Sequence, residues 1–361
     1  MQFIELFIVV CKRLMHNFLI RKNNMKVAIF GAGSLGTVLG AYIAKNNEQI
    51  DLINHNKEHI EALKSFGARI VGRVEFNQKV NALTVEEMDD NYDIIYLLTK
   101  QLDNENVVKM LKNHLNKDGV ICTMQNGLPE KLISSIIGED NTYGCVIGWG
   151  ARIIEPGIVK VTSTPETFEF TLGALTEKGR NKPHFQETNR LLSMMGKVII
   201  SNNFIGDRFT KILANSSFSG LSAVFGLSFG EICKNKKTRL LAQKIMKEII
   251  EVAKAHNIKL EPIQGNDVGK IFDYHNKFKE KLVYMIIPFA MRKHKLTKAS
   301  MLRDLQNHKK CEIDAINGIV SIYAREKNVP TPINDLTIKL VHEIEDGVRA
   351  PTIDNLKEYF H

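Results

Sequence analysis

Short apolar runs alternate with amphipathic stretches through the first half of the chain, starting just after Met25. Five runs come in turn: VAIFG, IDLIN, DIIYLLT, GVICTMQNG and YGCVIGWGA. Unbroken apolar runs are typical of parallel strands that are covered on both faces, and the stretches between them carry hydrophobic residues at helical spacing. This alternation predicts an α/β fold with a doubly wound, mostly parallel sheet.

The pattern changes after the fifth run. EPGIVKVTS and EFTLGAL look like a hairpin and predict two antiparallel strands that extend the sheet. Beyond KVIISNN, long amphipathic stretches such as RLLAQKIMKEIIEVAKAH dominate, and strand signals are few. We therefore predict a sheet domain over residues 25–202 and an all-helical domain, with substrate-binding and catalytic residues, over residues 203–361.

The first 24 residues, MQFIELFIVVCKRLMHNFLIRKNN, precede a start-like Met25 and need a separate interpretation. Their apolar run is interrupted by Glu5, the basic residues follow it rather than precede it, and no small-residue cleavage site stands out. A membrane-spanning helix needs about 20 apolar residues. We interpret residues 1–24 as an N-terminal extension outside the fold, with a weak amphipathic membrane contact as the alternative.

The composition is that of an ordinary globular protein. Of the 361 residues, 44% are hydrophobic and 25% are charged, which is typical of a chain with about two domains. The net charge is +9, but the basic clusters KNKK and RKHK have no interleaved aromatic residues, so no nucleic-acid partner is expected. Five cysteines without CxxC spacing predict free thiols in a reducing cytoplasm and no metal site. No stable membrane association is expected, and a homodimer through the helical domain is kept as a hypothesis.

The stretch KVAIFGAGSLGTVLGAYIAK joins the first strand to a helix through a glycine-rich turn. In a GxGxxG turn the first glycine permits the tight turn, the second lets a pyrophosphate approach the backbone, and the third lets the helix pack on the strand. The new helix also directs its free N–H groups at an anion. We therefore predict a Rossmann-type dinucleotide site, with a purely structural turn as the alternative. Its cofactor-binding residues would be Gly31, Ala32, Gly33, Ser34, Leu35 and Gly36.

The end of the second strand indicates which cofactor binds. An acid there would bind the ribose 2′-hydroxyl of NADH, whereas a basic group accommodates the 2′-phosphate of NADPH. The polar run NHNK follows the strand, and Asp51 lies before its last residues. We therefore predict NADPH, with His55 or Lys57 near the 2′-phosphate, and leave NADH open. His55 and His59 have the spacing of a metal pair, but no cysteine or carboxylate completes a site.

Polar residues interrupt the apolar pattern at three places. Lys100 in LLTKQLDN and Asn126 in QNGLPE follow apolar strands, at the sheet edge where ligands of such folds bind. In RFTKILANSSFSG, Lys211, Asn215 and Ser219 lie at successive turns of one helix face. A polar stripe on an apolar helix favours a lined cleft, although each residue taken alone could simply face solvent.

With these motifs the chain resembles the ketopantoate reductases (2-dehydropantoate 2-reductases). The resemblance runs from Met25 to about Gly347 and is carried by GAGSLG, LTKQ, QNG, KILAN and SMLRDLQNHKKCEIDAINGIV. The last block is the most specific and contains Ser300, Asp304 and Glu312.

The resemblance implies roles for individual residues. Lys211 would donate the proton to the substrate carbonyl, and Glu312 would act beside it. Lys100 and Asn126 would contact the cofactor near the nicotinamide, with Asn126 also facing the substrate. The implied substrate contacts further include Asn215, Ser300 and Ser219, and Ala151 would give a backbone contact to the cofactor.

The chemistry of ketone reduction fits these residues independently of the resemblance. A carbonyl that receives hydride needs a proton for the developing alkoxide, and an ammonium group supplies both the proton and a positive charge. An ordinary lysine is already protonated at neutral pH, so the reduction requires no lowered pKa at Lys211.

The predicted function is the NADPH-dependent reduction of 2-dehydropantoate to (R)-pantoate in pantothenate biosynthesis. Two departures from the family leave alternatives open: Ser219 stands where an Asn is frequent, and His55 stands where an Arg is common. The first allows another branched 2-oxo acid to be reduced to a D-2-hydroxy acid, and the second loosens the cofactor preference. A non-catalytic dinucleotide sensor is the alternative from another class of protein.

Overall fold

The computed structural model describes residues 25–263 and 265–360. The predicted N-terminal extension, residues 1–24, lies outside these ranges. None of the helices in them combines the length and the apolar content needed to cross a bilayer. The cysteines within these ranges are all buried and free: Cys122, Cys145, Cys233 and Cys311.

Twelve strands and six helices form the first part of the described chain. The strands are β1 (Val27–Phe30), β2 (Asp51–Ile53), β3 (Ala68–Gly72), β4 (Phe76–Gln78), β5 (Asn81–Leu83), β6 (Tyr92–Leu97), β7 (Leu115–Thr123), β8 (Thr142–Ile147), β9 (Ala151–Glu155), β10 (Ile158–Val161), β11 (Glu169–Ala174) and β12 (Lys197–Ile200). The helices are α1 (Ser34–Lys45), α2 (Lys57–Phe66), α3 (Asn104–Lys112), α4 (Glu130–Ile137), α5 (Glu177–Arg180) and α6 (Pro183–Ser193).

The second part is helical. Its α-helices are α7 (Phe204–Phe225), α8 (Phe229–Lys234), α9 (Lys236–Ala255), α10 (Val268–Phe272), α11 (Lys277–Ala290), α12 (Ser300–Gln306), α13 (Ile319–Glu326) and α14 (Pro332–Glu345). A π-helical turn, Asp314–Gly318, leads directly into α13. The predicted succession of a Rossmann-type sheet and a helical domain is confirmed.

The main sheet has eight strands in the order β12-β11-β8-β7-β6-β1-β2-β5. Strands β5, β2, β1, β6, β7 and β8 run parallel, and β11 pairs antiparallel with β8. Strand β1 lies between β2 and β6, so the strand order reverses beside it. In open α/β sheets, ligands bind at the carboxyl ends of the strands at such a reversal.

The predicted hairpin from EPGIVKVTS and EFTLGAL is wrong. Strand β10 belongs to a second sheet with the order β4-β3-β10-β9, whereas β11 joins the main sheet beside β8. The real hairpin is one strand earlier, where the turn at Gly157, with a φ of +74°, connects β9 to β10. The other neighbour of β10 is β3, in which Arg69 is the partner of Ile158. Strands β3 and β10 are far apart in the sequence, so no local pattern of residues indicates that they pair.

Helix α7 runs through the core of the helical part and packs against α9, α12 and α14. Phe209, Phe218 and Phe225 on this helix are almost fully buried. The helix ends at Gly226, which adopts the left-handed conformation with a φ of +70°. A Cβ there would lie 2.6 Å from the Pro351 carbonyl oxygen, so the close approach also requires glycine.

Candidate active site

The glycine turn between β1 and α1 has different steric requirements at its three glycines. Gly31 has a φ of +97°, and a Cβ there would lie 2.6 Å from the Thr99 backbone nitrogen. A Cβ at Gly36 would lie 2.7 Å from the Gly31 carbonyl oxygen, so this glycine permits the helix to pack on the strand. At Gly33 a Cβ would lie 3.9 Å from the Gly31 carbonyl oxygen, which is ordinary van der Waals contact. The fold itself therefore needs glycine at 31 and 36 but leaves space at 33.

The N-terminus of α1 is available to an anion. Its N-cap residue is Gly33, which provides no side-chain acceptor, and no acidic residue lies in the first turn. Ala32 in the turn is buried, whereas Ser34 and Leu35 of the first turn are half-buried. The backbone amides of Gly31 and Ala32 both donate to the Ile53 carbonyl oxygen at 2.9 Å, which fixes the turn to the end of β2.

The loop after β2 leaves His55 exposed. Asn54 Oδ1 accepts the Asn56 amide at 3.0 Å, and Asn56 Oδ1 caps α2 by accepting the His59 amide at 3.1 Å. Asp51 lies within β2 and accepts the Tyr92 hydroxyl at 2.8 Å. Asp51 thus lies in the strand, as the sequence predicted, and the hydrogen bond from Tyr92 engages its carboxylate within the sheet.

His59 has a structural role. Its Nδ1 accepts the Gly157 backbone amide at 3.1 Å, and its Nε2 lies 3.0 Å from Thr37 Oγ1. Burial lowers the pKa of this imidazole, which is consistent with a neutral ring between two fixed neighbours. The described residues contain no group of three histidine, cysteine or acidic side chains arranged to hold a metal ion.

The loops after β6 and β7 contact the helical part. Lys100 Nζ forms an ion pair with Asp304 Oδ1 of α12 at 2.6 Å. The next residue, Gln101, donates its backbone amide to Glu312 Oε1 at 3.2 Å. The Gln101 side chain donates to the Asn126 carbonyl oxygen. These contacts bring Lys100, Asn126 and Glu312 to the same edge of the main sheet.

Helix α7 brings its predicted polar stripe to the same edge of the main sheet. Lys211, Asn215 and Ser219 are half-buried, whereas most of the helix around them is buried. Lys211 Nζ donates to the carbonyl oxygen of Ile147, the last residue of β8, at 3.3 Å. The amine of the predicted proton donor therefore reaches from the helical part to the carboxyl edge of the sheet.

The pKa of Lys211 differs from that of an ordinary lysine. Burial, followed by the positive charge of Arg208, lowers the pKa of the Lys211 ammonium from 10.5 to about 8. Cys145 and Glu312 act in the opposite direction. The group is still mostly protonated at neutral pH, but it gives up its proton more readily than an exposed lysine.

Glu312 is 8% exposed and lies just before the π-helical turn Asp314–Gly318. Burial raises the pKa of its carboxyl group, and the hydrogen bond from Gln101 and the charges of Lys100 and Lys211 oppose that rise. Single π-helical turns are frequent at functional sites because they redirect side chains within a helix.

The glycine of the QNG motif packs directly against the π-helical turn. Gly127 has a φ of +77°, and a Cβ there would lie 2.0 Å from the Ala315 carbonyl oxygen. Any side chain at this position would therefore separate the loop that carries Asn126 from the turn that follows Glu312.

Two predicted contact residues lie at the edges of this arrangement. Ser300 is the exposed first residue of α12, the helix that also carries Asp304. Ala151 is the half-buried first residue of β9 and pairs with Val161 of β10. The roles of both residues toward a bound substrate or cofactor stay predictions.

Comparison with known proteins assigns the chain to a family. Residues 27–176 match the family described as Ketopantoate reductase PanE/ApbA, and residues 203–345 match the one described as Ketopantoate reductase PanE/ApbA C terminal. The chain belongs to the ketopantoate reductase family. A 2-dehydropantoate 2-reductase of Pyrococcus horikoshii is 28% identical over 319 residues, which cover 88% of this chain and 96% of that protein.

Solved structures with the same fold include other dehydrogenases. A D-mandelate dehydrogenase in complex with NADH and anilino(oxo)acetate has a TM-score of 0.76 and 25% identity, covering 90% of this chain and 99% of that one. A PanE/ApbA family ketopantoate reductase of Ralstonia eutropha has a TM-score of 0.75 and 22% identity, with the same coverage. Ketopantoate reductases are oxidoreductases that act on a CH–OH group, and this chain is an enzyme of that type.

One buried ion pair of this ketopantoate reductase family member was not predicted from the sequence. Arg208 and Glu130 form an ion pair at 1% and 6% side-chain exposure, between α7 and the start of α4. A signal was available, because Arg208 lies three residues before Lys211 on the same helix and Glu130 ends the QNGLPE motif. A charge inside an otherwise apolar helix usually has a buried partner.

Proposed function

We propose that this protein reduces 2-dehydropantoate to (R)-pantoate with NADPH, the reduction step of pantothenate biosynthesis. One observation carries the proposal: Lys211 of α7 and Glu312 meet the carboxyl ends of β6 and β8 at one site. An ammonium group and a carboxylate therefore lie at the carboxyl edge of the sheet, the edge at which open α/β sheets bind dinucleotides, and this supports the proposal. The 2-dehydropantoate 2-reductases among the relatives support the choice of substrate.

The glycine turn fits a dinucleotide. The space outside Gly33, the uncapped N-terminus of α1 and the position beside the strand-order reversal suit a pyrophosphate. When bound, the cofactor supplies the hydride from its nicotinamide ring. Lys100 and Asn126 would contact the nicotinamide side, and the backbone of Ala151 would give a further contact.

The protein's own groups would then handle the substrate's proton and orientation. Lys211 would hold its ammonium at the carbonyl oxygen and donate the proton as negative charge develops there. Asn215, one turn away on α7, would bind the polar end of the substrate, assisted by Ser219 and Ser300. Glu312 would orient the Lys211 ammonium or accept the substrate hydroxyl.

The pH dependence of the two reaction directions tests the role of Lys211. Reduction needs the ammonium form, so kcat/KM for reduction should be level at lower pH and decline as the pH rises past the Lys211 pKa of about 8. Oxidation of the hydroxy acid needs the neutral amine, so its kcat/KM should instead decline below that pH. Each limb should change by about tenfold per pH unit. Profiles of both directions that slope the same way would contradict the assignment.

The choice of NADPH rests on the loop after β2, where His55 is exposed and residues 54–57 include no acid. We expect Asn54→Asp to shift the preference toward NADH, because the new carboxylate repels the 2′-phosphate and accepts the ribose 2′-hydroxyl. The Asn54 side chain already accepts the Asn56 amide, and an aspartate can keep that bond. The ratio of kcat/KM for NADPH to that for NADH, in both proteins, measures the shift. A wild-type preference for NADH would refute the proposal.

A second candidate function is the reduction of a different 2-oxo acid to a D-2-hydroxy acid. Ser219 in place of the frequent Asn favours it, as does the structural likeness to a D-mandelate dehydrogenase. Values of kcat/KM for 2-dehydropantoate, 2-oxoisovalerate and phenylglyoxylate separate the two. The first candidate requires 2-dehydropantoate to be the best substrate, and absence of turnover with every 2-oxo acid would favour the non-catalytic sensor.

We propose in addition that the protein is cytoplasmic and forms a homodimer. Helix α11 carries exposed hydrophobic side chains on one face, at helical spacing: Phe278, Leu282, Met285 and Phe289. A second copy of the chain would cover such a face. Light scattering on the purified protein measures the mass, and a monomer at micromolar concentration would contradict the dimer.

A further inference from the structure

One buried guanidinium joins the helix of Lys211 to the sheet. Arg208 lies on α7 and is 1% exposed. Its Nε donates to Glu130 Oε1 at 2.9 Å, and its Nη1 donates to the Gln125 carbonyl oxygen at 2.6 Å. Its Nη2 donates to the Thr123 carbonyl oxygen at 3.3 Å and also to Glu130 Oε1. All three nitrogens of the Arg208 guanidinium therefore donate hydrogen bonds.

The acceptors of Arg208 all lie in residues 123–130, the segment that leads from β7 into α4. The same segment carries Asn126, whereas the helix of Arg208 carries Lys211 and Asn215. Because the guanidinium is planar and its donors are fixed in direction, three acceptors on one segment define both the position and the rotation of α7 against it. A lysine at this position would keep the charge but would lose that geometry.

We propose that Arg208 is a positioning residue, whose guanidinium fixes the amine of Lys211 relative to Asn126 and whose charge acts on that amine. The inference rests on the proposed role of Lys211 as proton donor. A misplacement of about 1 Å in a catalytic group can cost on the order of 100-fold in rate, so a rigid link between these two groups has a direct catalytic consequence.

The charges around Lys211 are consistent with this inference. Arg208 lowers the pKa of the Lys211 ammonium, in the same direction as burial, whereas Cys145 of β8 and Glu312 act against it. Removal of the guanidinium should therefore raise the Lys211 pKa. Glu130 pairs with Arg208 but is not among the groups that shift the Lys211 pKa, so removal of Arg208 alone would only leave a buried carboxylate without its partner.

The decisive variant replaces both partners, Arg208→Met with Glu130→Leu. Exchange of a buried ion pair for apolar side chains of similar volume frequently preserves stability, so this double variant keeps the fold testable. We expect a folded protein with a somewhat lower melting temperature than the wild type, because the carbonyl oxygens of Thr123 and Gln125 lose a donor. We also expect a kcat for 2-dehydropantoate that is roughly 10- to 100-fold lower, and a decline of kcat/KM that begins at higher pH. Arg208→Lys should lower kcat while leaving the pH of that decline near the wild-type value.

A readout without substrate accompanies the kinetics. The rate of Lys211 acetylation by acetic anhydride, followed by peptide mass spectrometry across pH, reports the fraction of neutral amine. Its midpoint should lie near the Lys211 pKa of about 8 in the wild type and higher in the double variant. Arg190→Met is the matched control, because Arg190 pairs with Glu48 and Glu187 in the sheet part. It should change neither kcat nor the midpoint.

The outcomes separate this inference from the proposed function. A folded double variant with kcat within twofold of the wild type and an unchanged acetylation midpoint would show that Arg208 is only a structural contact. Full activity in Arg208→Lys would show that the guanidinium geometry does not position the Lys211 amine. If the wild type reduces no 2-oxo acid but the midpoint still rises in the double variant, the proposed reaction fails and the action of Arg208 on the Lys211 amine stands.

Discussion

Lys211→Ala is expected to lower kcat for reduction by at least about 100-fold, while the affinity for the cofactor changes little. The variant loses both the proton donor and the positive charge beside the developing alkoxide, and general acid catalysis contributes roughly 10²- to 10⁴-fold. A 100-fold loss corresponds to about 2.7 kcal/mol of transition-state stabilisation. Steady-state kinetics with 2-dehydropantoate and NADPH, together with a cofactor titration, measure both effects.

Two further variants make the result specific to the proton. Lys211→Arg keeps the charge but should not restore kcat, because a guanidinium is too weak an acid to give up its proton. Lys109→Ala, which removes an exposed lysine paired with Glu105 on α3, should behave as the wild type. A folded Lys211→Ala protein with kcat within a few-fold of the wild type would remove Lys211 from the mechanism.

Gly33→Val is expected to abolish NADPH binding while the protein stays folded. A Cβ at position 33 would lie 3.9 Å from the Gly31 carbonyl oxygen, so the fold has room for it. A pyrophosphate bound over the turn would collide with the new side chain. Binding is measured by titration, with NADPH fluorescence or with quenching of the single tryptophan, Trp149, as the signal. Wild-type affinity in the folded variant would show that the turn is only structural.

Gly36→Val gives the contrasting control. A Cβ at position 36 would lie 2.7 Å from the Gly31 oxygen and 2.9 Å from Ile29 Cγ2, so this variant should lose stability whether or not a cofactor binds. The comparison of melting temperatures separates a glycine needed for packing from one needed for a ligand. Equal melting temperatures for the two variants would contradict this division of roles.

The sequence by itself determined the features that depend on neighbours along the chain. The strand, the glycine turn and the helix of GAGSLG follow from local apolar patterning and from the φ that Gly31 must adopt. The helical period alone placed Lys211, Asn215 and Ser219 on one stripe, and the structure finds them half-buried on α7. Family membership was likewise readable from short ordered motifs.

Only the tertiary structure decided the partners of distant residues. The hairpin was misplaced because β10 pairs with β3, far away in sequence, and such pairings are selected by packing rather than by local propensity.

The electrostatic environment of Lys211 also required the fold. The Lys211 pKa falls to about 8 because folding buries the amine near Arg208, and neither effect can be measured from the linear sequence. The contact of Arg208 with Glu130 spans 78 residues of chain. Desolvation and charge interactions depend on distances in three dimensions, which a linear pattern does not contain.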